Sequence, residues 1–120
     1  MQIFPLEIDY YENPAGKRPF KEWLEGMKDV NGRAKIRIRL DRARLGNLGD
    51  HKHVDAGVWE MRLDYGPGYR VYFGKEGNQL LLLLIGGDKS TQGRDIERAH
   101  GYWQDHLRRK EHGTTNKLSG

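Results

Sequence analysis

A chain of 120 residues without a cysteine has length for one hydrophobic core, and it excludes a disulfide framework, a thiolate metal site and a catalytic thiol. Its net charge of +4, from 21 Lys and Arg against 17 Asp and Glu, favours a polyanionic partner, although many small basic domains bind none. Only 36% of the residues are hydrophobic, but three Trp, six Tyr and three Phe supply core area, and the longest apolar run falls far short of the about 20 residues that span a bilayer.

The amino-terminus alternates apolar and polar residues and lacks the charged start and apolar run of a signal peptide, so a cytoplasmic location is expected. Ile3 to Tyr11 is β-prone and ends at Asn13-Pro14-Ala15-Gly16. From Pro19, a residue suited to a first helical turn, Phe20, Trp23, Leu24 and Met27 fall on one helical face. A second helix is expected between Asn31 as cap and Gly46 as stop, although Lys35 to Leu40 alternates strictly and a strand competes there. Wound as a helix it carries two apolar stripes, Ala34/Ile38/Leu45 and Ile36/Leu40/Ala43, separated by basic residues. Such a helix is usually sandwiched between two neighbours.

Gly46 to Gly57 reads as a loop holding Asp50, His51, Lys52 and His53. Two strands joined by Gly66-Pro67-Gly68 follow, then a Lys75–Asn78 turn and the continuous apolar run Leu80–Ile85, which suits a central strand covered on both faces. After Gly86-Gly87-Asp88-Lys89, Ser90 or Thr91 caps a last helix with the stripe Ile96, Ala99, Trp103 and Leu107. The order predicts an α+β domain: an amino-terminal strand, two helices, a three-stranded antiparallel meander and a carboxy-terminal helix. The domain is expected to fill residues 1–112, with a disordered tail over 113–120.

Alternation sorts the hairpin into two faces. Trp59, Met61, Leu63, Val71 and Phe73 point to the core, and Trp59→Ala is expected to unfold the domain. Glu60, Arg62, Arg70 and Tyr72 point the other way, onto an open face whose two guanidinium groups, carboxylate and phenol suit a phosphodiester. The plain alternative is a solvated face on which Arg and Glu merely pair. Glu60 either acts as a base or orients an arginine. Lys52 and Lys89, in loops at the sheet ends, reach towards a substrate phosphate or are ordinary surface lysines. His51 and His53 lack a third ligand of convincing spacing, so no metal is expected, though His51 could touch RNA. Arg37, in the Arg33–Arg44 run, either tracks an RNA backbone or is a solvated cation. Gly86-Gly87 lacks the pattern of a phosphate loop and reads as close packing or a strand-end turn.

Four segments in register resemble a known family: Arg44–Lys52, Gly57–Arg62, Gly66–Phe73 and Leu84–Gln92. Together they resemble the RelE/ParE superfamily of type II toxins, most closely the HigB-like addiction module killer proteins, over nearly the whole chain to the last helix. The resemblance implies a RelE-like fold and an endoribonuclease that cleaves mRNA at the ribosome without metal or cofactor, so inhibiting translation and growth. It aligns Arg70 with the arginine of the family's Gly-Tyr-Arg strand, Arg62 with a basic position on the preceding strand, and Lys89 with a basic or histidine position after the last strand. Glu60 stands where several members carry a second basic residue. Arg62, Arg70, Lys89 and Glu60 are therefore the catalytic candidates, and Lys52, His51, Tyr72 and Arg37 the RNA-binding ones.

The implied partners are mRNA, the ribosome and a cognate antitoxin, a DNA-binding helix-turn-helix protein forming a hetero-oligomer with the toxin; no membrane is involved. The antitoxin is expected to cover Ile36, Leu40 and Ala43, or, if these are buried, to grip the arginine-bearing sheet face. Two rival functions remain: a ParE-like toxin that poisons DNA gyrase without cutting, and a non-catalytic RNA- or ribosome-binding module.

Overall fold

The computed structural model describes the backbone of residues 6–119 and the side chains of residues 6–111. In chain order the elements are β1 (Glu7–Tyr10), α1 (Pro19–Glu25), α2 (Val30–Arg44), β2 (His51–Asp55), β3 (Val58–Arg62), β4 (Tyr69–Glu76), β5 (Leu80–Asp88), a single 3-10 turn (Lys89–Thr91) and α3 (Gln92–Ser119). The five strands make one sheet in the order β1-β5-β4-β3-β2, with β1 parallel to β5 and every other pair antiparallel. The chain is therefore an α+β domain with a mixed sheet. Residues 3–5 of the expected first strand lie outside the described residues, and the expected tail over 113–120 lies beyond the described side chains.

One strand was not expected. His51–Asp55 pairs with β3 as an edge strand rather than forming a loop, and Ala56-Gly57 closes the turn, with Gly57 at φ +76°. Its sequence, His-Lys-His-Val-Asp, is polar except for Val54, which packs against the core under α3, and charged residues on an edge strand discourage further pairing. The second helix is capped by Asp29 rather than Asn31, through a 2.9 Å bond from the Gly32 N–H. Asp88, not Ser90 or Thr91, caps the turn that leads into α3.

Helices cover both faces of the sheet. Phe20 and Leu24 of α1 and Ile36, Leu40 and Ala43 of α2 pack on Met61, Leu63, Val71, Phe73, Leu81 and Leu83. On the other face, Ala99 and Trp103 of α3 pack on Val58, Tyr72, Leu82, Leu84 and Ile85. Two strand glycines admit tryptophan rings, one from each helical layer. A Cβ on Gly86 would fall 2.1 Å from the Trp23 ring, and one on Gly74 would fall 2.2 Å from the Trp103 ring. The Gly86-Gly87 pair is thus a close-packing device inside β5 and no phosphate loop.

The packing of these two layers corrects three expectations. The face bearing Glu60, Arg62, Arg70 and Tyr72 is not open, because α3 lies across most of it and buries Glu60 and Tyr72 completely. The stripe Ile36/Leu40/Ala43 is also buried, whereas Ile38 and Leu45 of the opposite stripe are exposed. Trp59, on the expected core face, is only half-buried: it packs against the core's margin between His51 and His53, with the Lys75 ammonium 5.2 Å from its ring. Phe73→Ala, at a fully buried position, should therefore cost about 3–5 kcal/mol, and Trp59→Ala well under that. Urea midpoints of the two variants check the order.

Candidate functional site

The sheet register sets Arg62 directly opposite Arg70, and Glu60 directly opposite Tyr72. Two like charges facing each other across strands repel, so a compensating charge is required nearby. Glu60 supplies it from within the protein. Its Oε1 accepts a 2.7 Å hydrogen bond from Arg62 Nε and lies 3.9 Å from Arg70 Nε, while its Oε2 accepts from the Tyr72 hydroxyl at 3.0 Å and from Gln92 Nε2 at 2.8 Å. Burial by itself would raise the Glu60 pKa, but the bonds from Arg62, Gln92 and Tyr72 and the Arg62 charge outweigh it and hold the carboxyl below its ordinary range. Burial, with Glu60 beside it, pushes the Tyr72 phenol far up, so it stays protonated.

Arg70 is the better-held of the two arginines. Its Nη1 donates to the Gly68 and Tyr69 carbonyls at 3.0 and 3.2 Å, and its buried Nε has no hydrogen-bond acceptor among the described residues. Gly66 and Gly68, at φ +55° and +79°, let the Leu63–Gly68 loop turn back over the sheet end, closed by the bond from Leu63 N–H to the Tyr69 carbonyl. Tyr69 in turn donates to Asp29 at 2.7 Å, and burial with that carboxylate pushes its phenol up to about 12. Arg39 of α2 donates to the carbonyls of Arg62, Leu48 and Asp50, which pins both strand ends beside the site. In the sequence, Arg39 stands out only as one member of a basic run.

Arg62, Arg70 and Lys89 line one cleft of about 410 Å³, with Asp50, Leu63, Asp64, Gly66, Pro67 and Gly68 completing it. Three cations from β3, β4 and the 3-10 turn thus face a common space at the end of the sheet that α3 leaves uncovered. The other expected residues divide. Glu60 and Tyr72 sit beneath the arginines and do not line the cleft. Lys52 is exposed on β2 opposite Glu60, a strand position rather than the expected loop, and does not line the cleft either. His51 pairs with Met61 and so belongs to the opposite face, its Nδ1 2.8 Å from the Gly49 carbonyl. Arg37 is exposed on α2, which packs on that same opposite face. Asp50, Asp64 and Gln92 were not singled out from the sequence. The local signals were the loop position of Asp64, two residues after Arg62, and that of Asp50 beside His51 and Lys52.

The cleft can hold an anion on planar and ammonium donors, and Asp50, Asp64 and Lys89 are the titratable groups at its wall besides the arginines. Among the described residues no three metal-ligating side chains converge, and no helix is long and apolar enough to cross a membrane.

The fold and this cleft define a small α+β protein with a cleft lined by three cationic side chains at the end of a mixed sheet. No protein-family model matches the chain. A protein of Haemophilus influenzae (strain ATCC 51907 / DSM 11121 / KW20 / Rd), named only as an uncharacterized protein, is 48% identical over 80 residues, covering 67% of this chain and 81% of that protein. The chain belongs to one family with it.

Proposed function

We propose that this protein is a RelE/HigB-type toxin, a metal-independent endoribonuclease that cleaves mRNA on the ribosome. The observation that carries the reading is the meeting of Arg62, Arg70 and Lys89 around one cleft, at the three positions that the family resemblance marks as basic. Cleavage of RNA through its own 2′-hydroxyl needs cations against the charge that builds on the phosphate, a base for the 2′-OH and an acid for the 5′-oxygen. The two guanidinium groups meet the first need, because their planar donors match phosphate oxygens. Proton transfer falls to the titratable groups at the cleft wall, Asp50, Asp64 and Lys89. Glu60 is a positioning residue: buried, and bonded by Arg62, Tyr72 and Gln92, it aims the arginines and is poorly placed to take a proton from substrate.

Incubation with mRNA-programmed ribosomes, followed by mapping of new mRNA 5′ ends, tests the reading. Discrete cleavage within the decoded codons supports it. Supercoiling inhibited in a gyrase assay with mRNA intact would instead indicate a ParE-like poison, and ribosome binding without new ends a non-catalytic module. Cleavage should persist in excess EDTA on ribosomes kept intact with a polyamine. Loss on chelation, restored by a divalent ion, would overturn the mechanism.

The antitoxin partner needs a surface, and the burial of Ile36, Leu40 and Ala43 removes the first one expected. The opposite stripe of α2 remains: Val30, Ile38 and Leu45 are 63%, 50% and 71% exposed, with Lys35, Arg37, Arg42 and Arg44 around it and one acid, Asp41, which is paired with Arg44 at 3.1 Å. Apolar anchors within a basic rim fit an acidic amphipathic segment, whereas a second copy of the chain would set like charges together. Ile38→Glu should weaken antitoxin capture by about thirtyfold in a titration and leave cleavage by free toxin unchanged.

A further inference from the structure

We propose that the cleft between α1 and α3 is a second nucleotide subsite, which holds an RNA residue next to the one whose phosphate lies among Arg62, Arg70 and Lys89. The inference rests on the nuclease reading and extends it to how the strand is gripped. Strand β1 stops at Tyr10, opposite Leu83, while β5 continues to Asp88, so the last residues of β5 have no strand on that side. The uncovered edge forms the floor of a cleft of about 530 Å³ lined by Ile85, Gly86, Gly87 and Asp88, within the about 300–1,000 Å³ usual for small-molecule sites. Backbone N–H and C=O groups along such an edge suit the polar rim of a nucleobase.

The walls carry the groups that single-stranded RNA requires. Trp23 of α1, half-buried and seated over Gly86, stands on one side, and Tyr102 of α3, stacked on Tyr11 at 4.9 Å, on the other. Aromatic faces hold bases of any sequence. Lys17, Arg94 and Arg98 line the cleft, and neither Lys17 nor Arg98 has a carboxylate within ion-pair distance among the described residues. Of the acids there, Asp88 is engaged in capping the 3-10 turn and the buried Asp95 accepts from the Thr91 hydroxyl at 2.5 Å. Glu22 is exposed and remains as an acceptor for an exocyclic amino group.

The two clefts share one turn. Lys89 lines the arginine cleft, while Asp88 and Thr91, its neighbours in the same turn, line this one. A strand leaving the arginines therefore passes over Lys89 directly into the second cleft.

The test uses ribosomes programmed with mRNA carrying 4-thiouridine on either side of the cleaved position, and the double variant Lys17→Ala/Arg98→Ala, both positions being exposed. Three results are expected. Wild-type protein crosslinks through peptides containing Trp23 or Tyr102. The double variant raises KM at least tenfold with kcat retained. Its log affinity falls less steeply with log salt, by roughly 0.7 for each phosphate it no longer neutralises. Trp23→Phe, which keeps an aromatic ring, should retain binding if the wall acts by stacking. Unchanged KM and salt slope, with crosslinks confined elsewhere, would sink the subsite while the nuclease reading stands on the Arg70 variant. Absence of any cleavage by wild type would remove both.

Discussion

Arg70→Ala should abolish RNA cleavage and growth arrest while the domain stays folded. The side chain is 12% exposed; it donates hydrogen bonds to the Gly68 and Tyr69 carbonyls of the neighbouring turn and lies 3.9 Å from Glu60, whose carboxylate keeps its bonds from Arg62, Tyr72 and Gln92, so its loss loosens a loop without opening the core. The catalytic loss should be large, about 10²–10³ in rate for one charge-stabilising group. Arg70→Lys keeps the charge but not the planar fork and should recover only part of it. Single-turnover cleavage on programmed ribosomes, together with circular dichroism of each variant, decides. A folded Arg70→Ala protein that cleaves at the wild-type rate would remove the arginine cleft from the mechanism. Arg62→Ala is a less clean experiment than the sequence implies, because Arg62 also neutralises a buried carboxylate.

Glu60→Ala should cost stability rather than chemistry alone, about 3–5 kcal/mol by urea denaturation, since it strips the partner from Arg62 and leaves the Tyr72 hydroxyl and Gln92 amide unpaired beneath the sheet. The sign of the pH dependence follows from the lowered Glu60 pKa. Folding favours the ionised carboxyl, so its contribution is fully present above the ordinary Glu value of about 4.3 and is lost as pH falls through the lower folded value. The gap between wild type and Glu60→Gln should therefore be widest near neutrality and close in acid. A gap independent of pH would mean that the carboxylate charge is not what holds this cluster.

Much of the fold was legible because its signals are local. Phe20, Trp23, Leu24 and Met27 keep helical spacing, the β3–β4 alternation separates Met61, Val71 and Phe73 from Arg62 and Arg70, and the leucine run marks the strand covered on both faces. What alternation cannot say is whether a polar face meets water or another layer. Glu60 and Tyr72 look like surface residues beside two arginines, yet Val58, Leu82, Leu84 and Ile85 on the same side belong to a second core under α3. Strand β2 escaped notice because an edge strand need not alternate. In the site, Arg62 and Arg70 could be paired by register, and Lys89 by resemblance, but the contacts of Gln92 with Glu60 and of Arg39 with Arg62 span 32 and 23 residues. No window along the chain could reveal either.

The paired glycines under the tryptophans constrain how this protein can evolve. A single methyl group at Gly74 or Gly86 would collide with an indole ring, and the two rings lie on opposite sides of the sheet, so neither collision can be relieved by the other's movement. Drift at either codon is closed unless the facing tryptophan shrinks in the same lineage. Alanine at Gly74 should become tolerable only beside a smaller residue at position 103, and alanine at Gly86 only beside one at position 23. Each layer would thus carry its own two-residue lock, and a lineage could change one without touching the other.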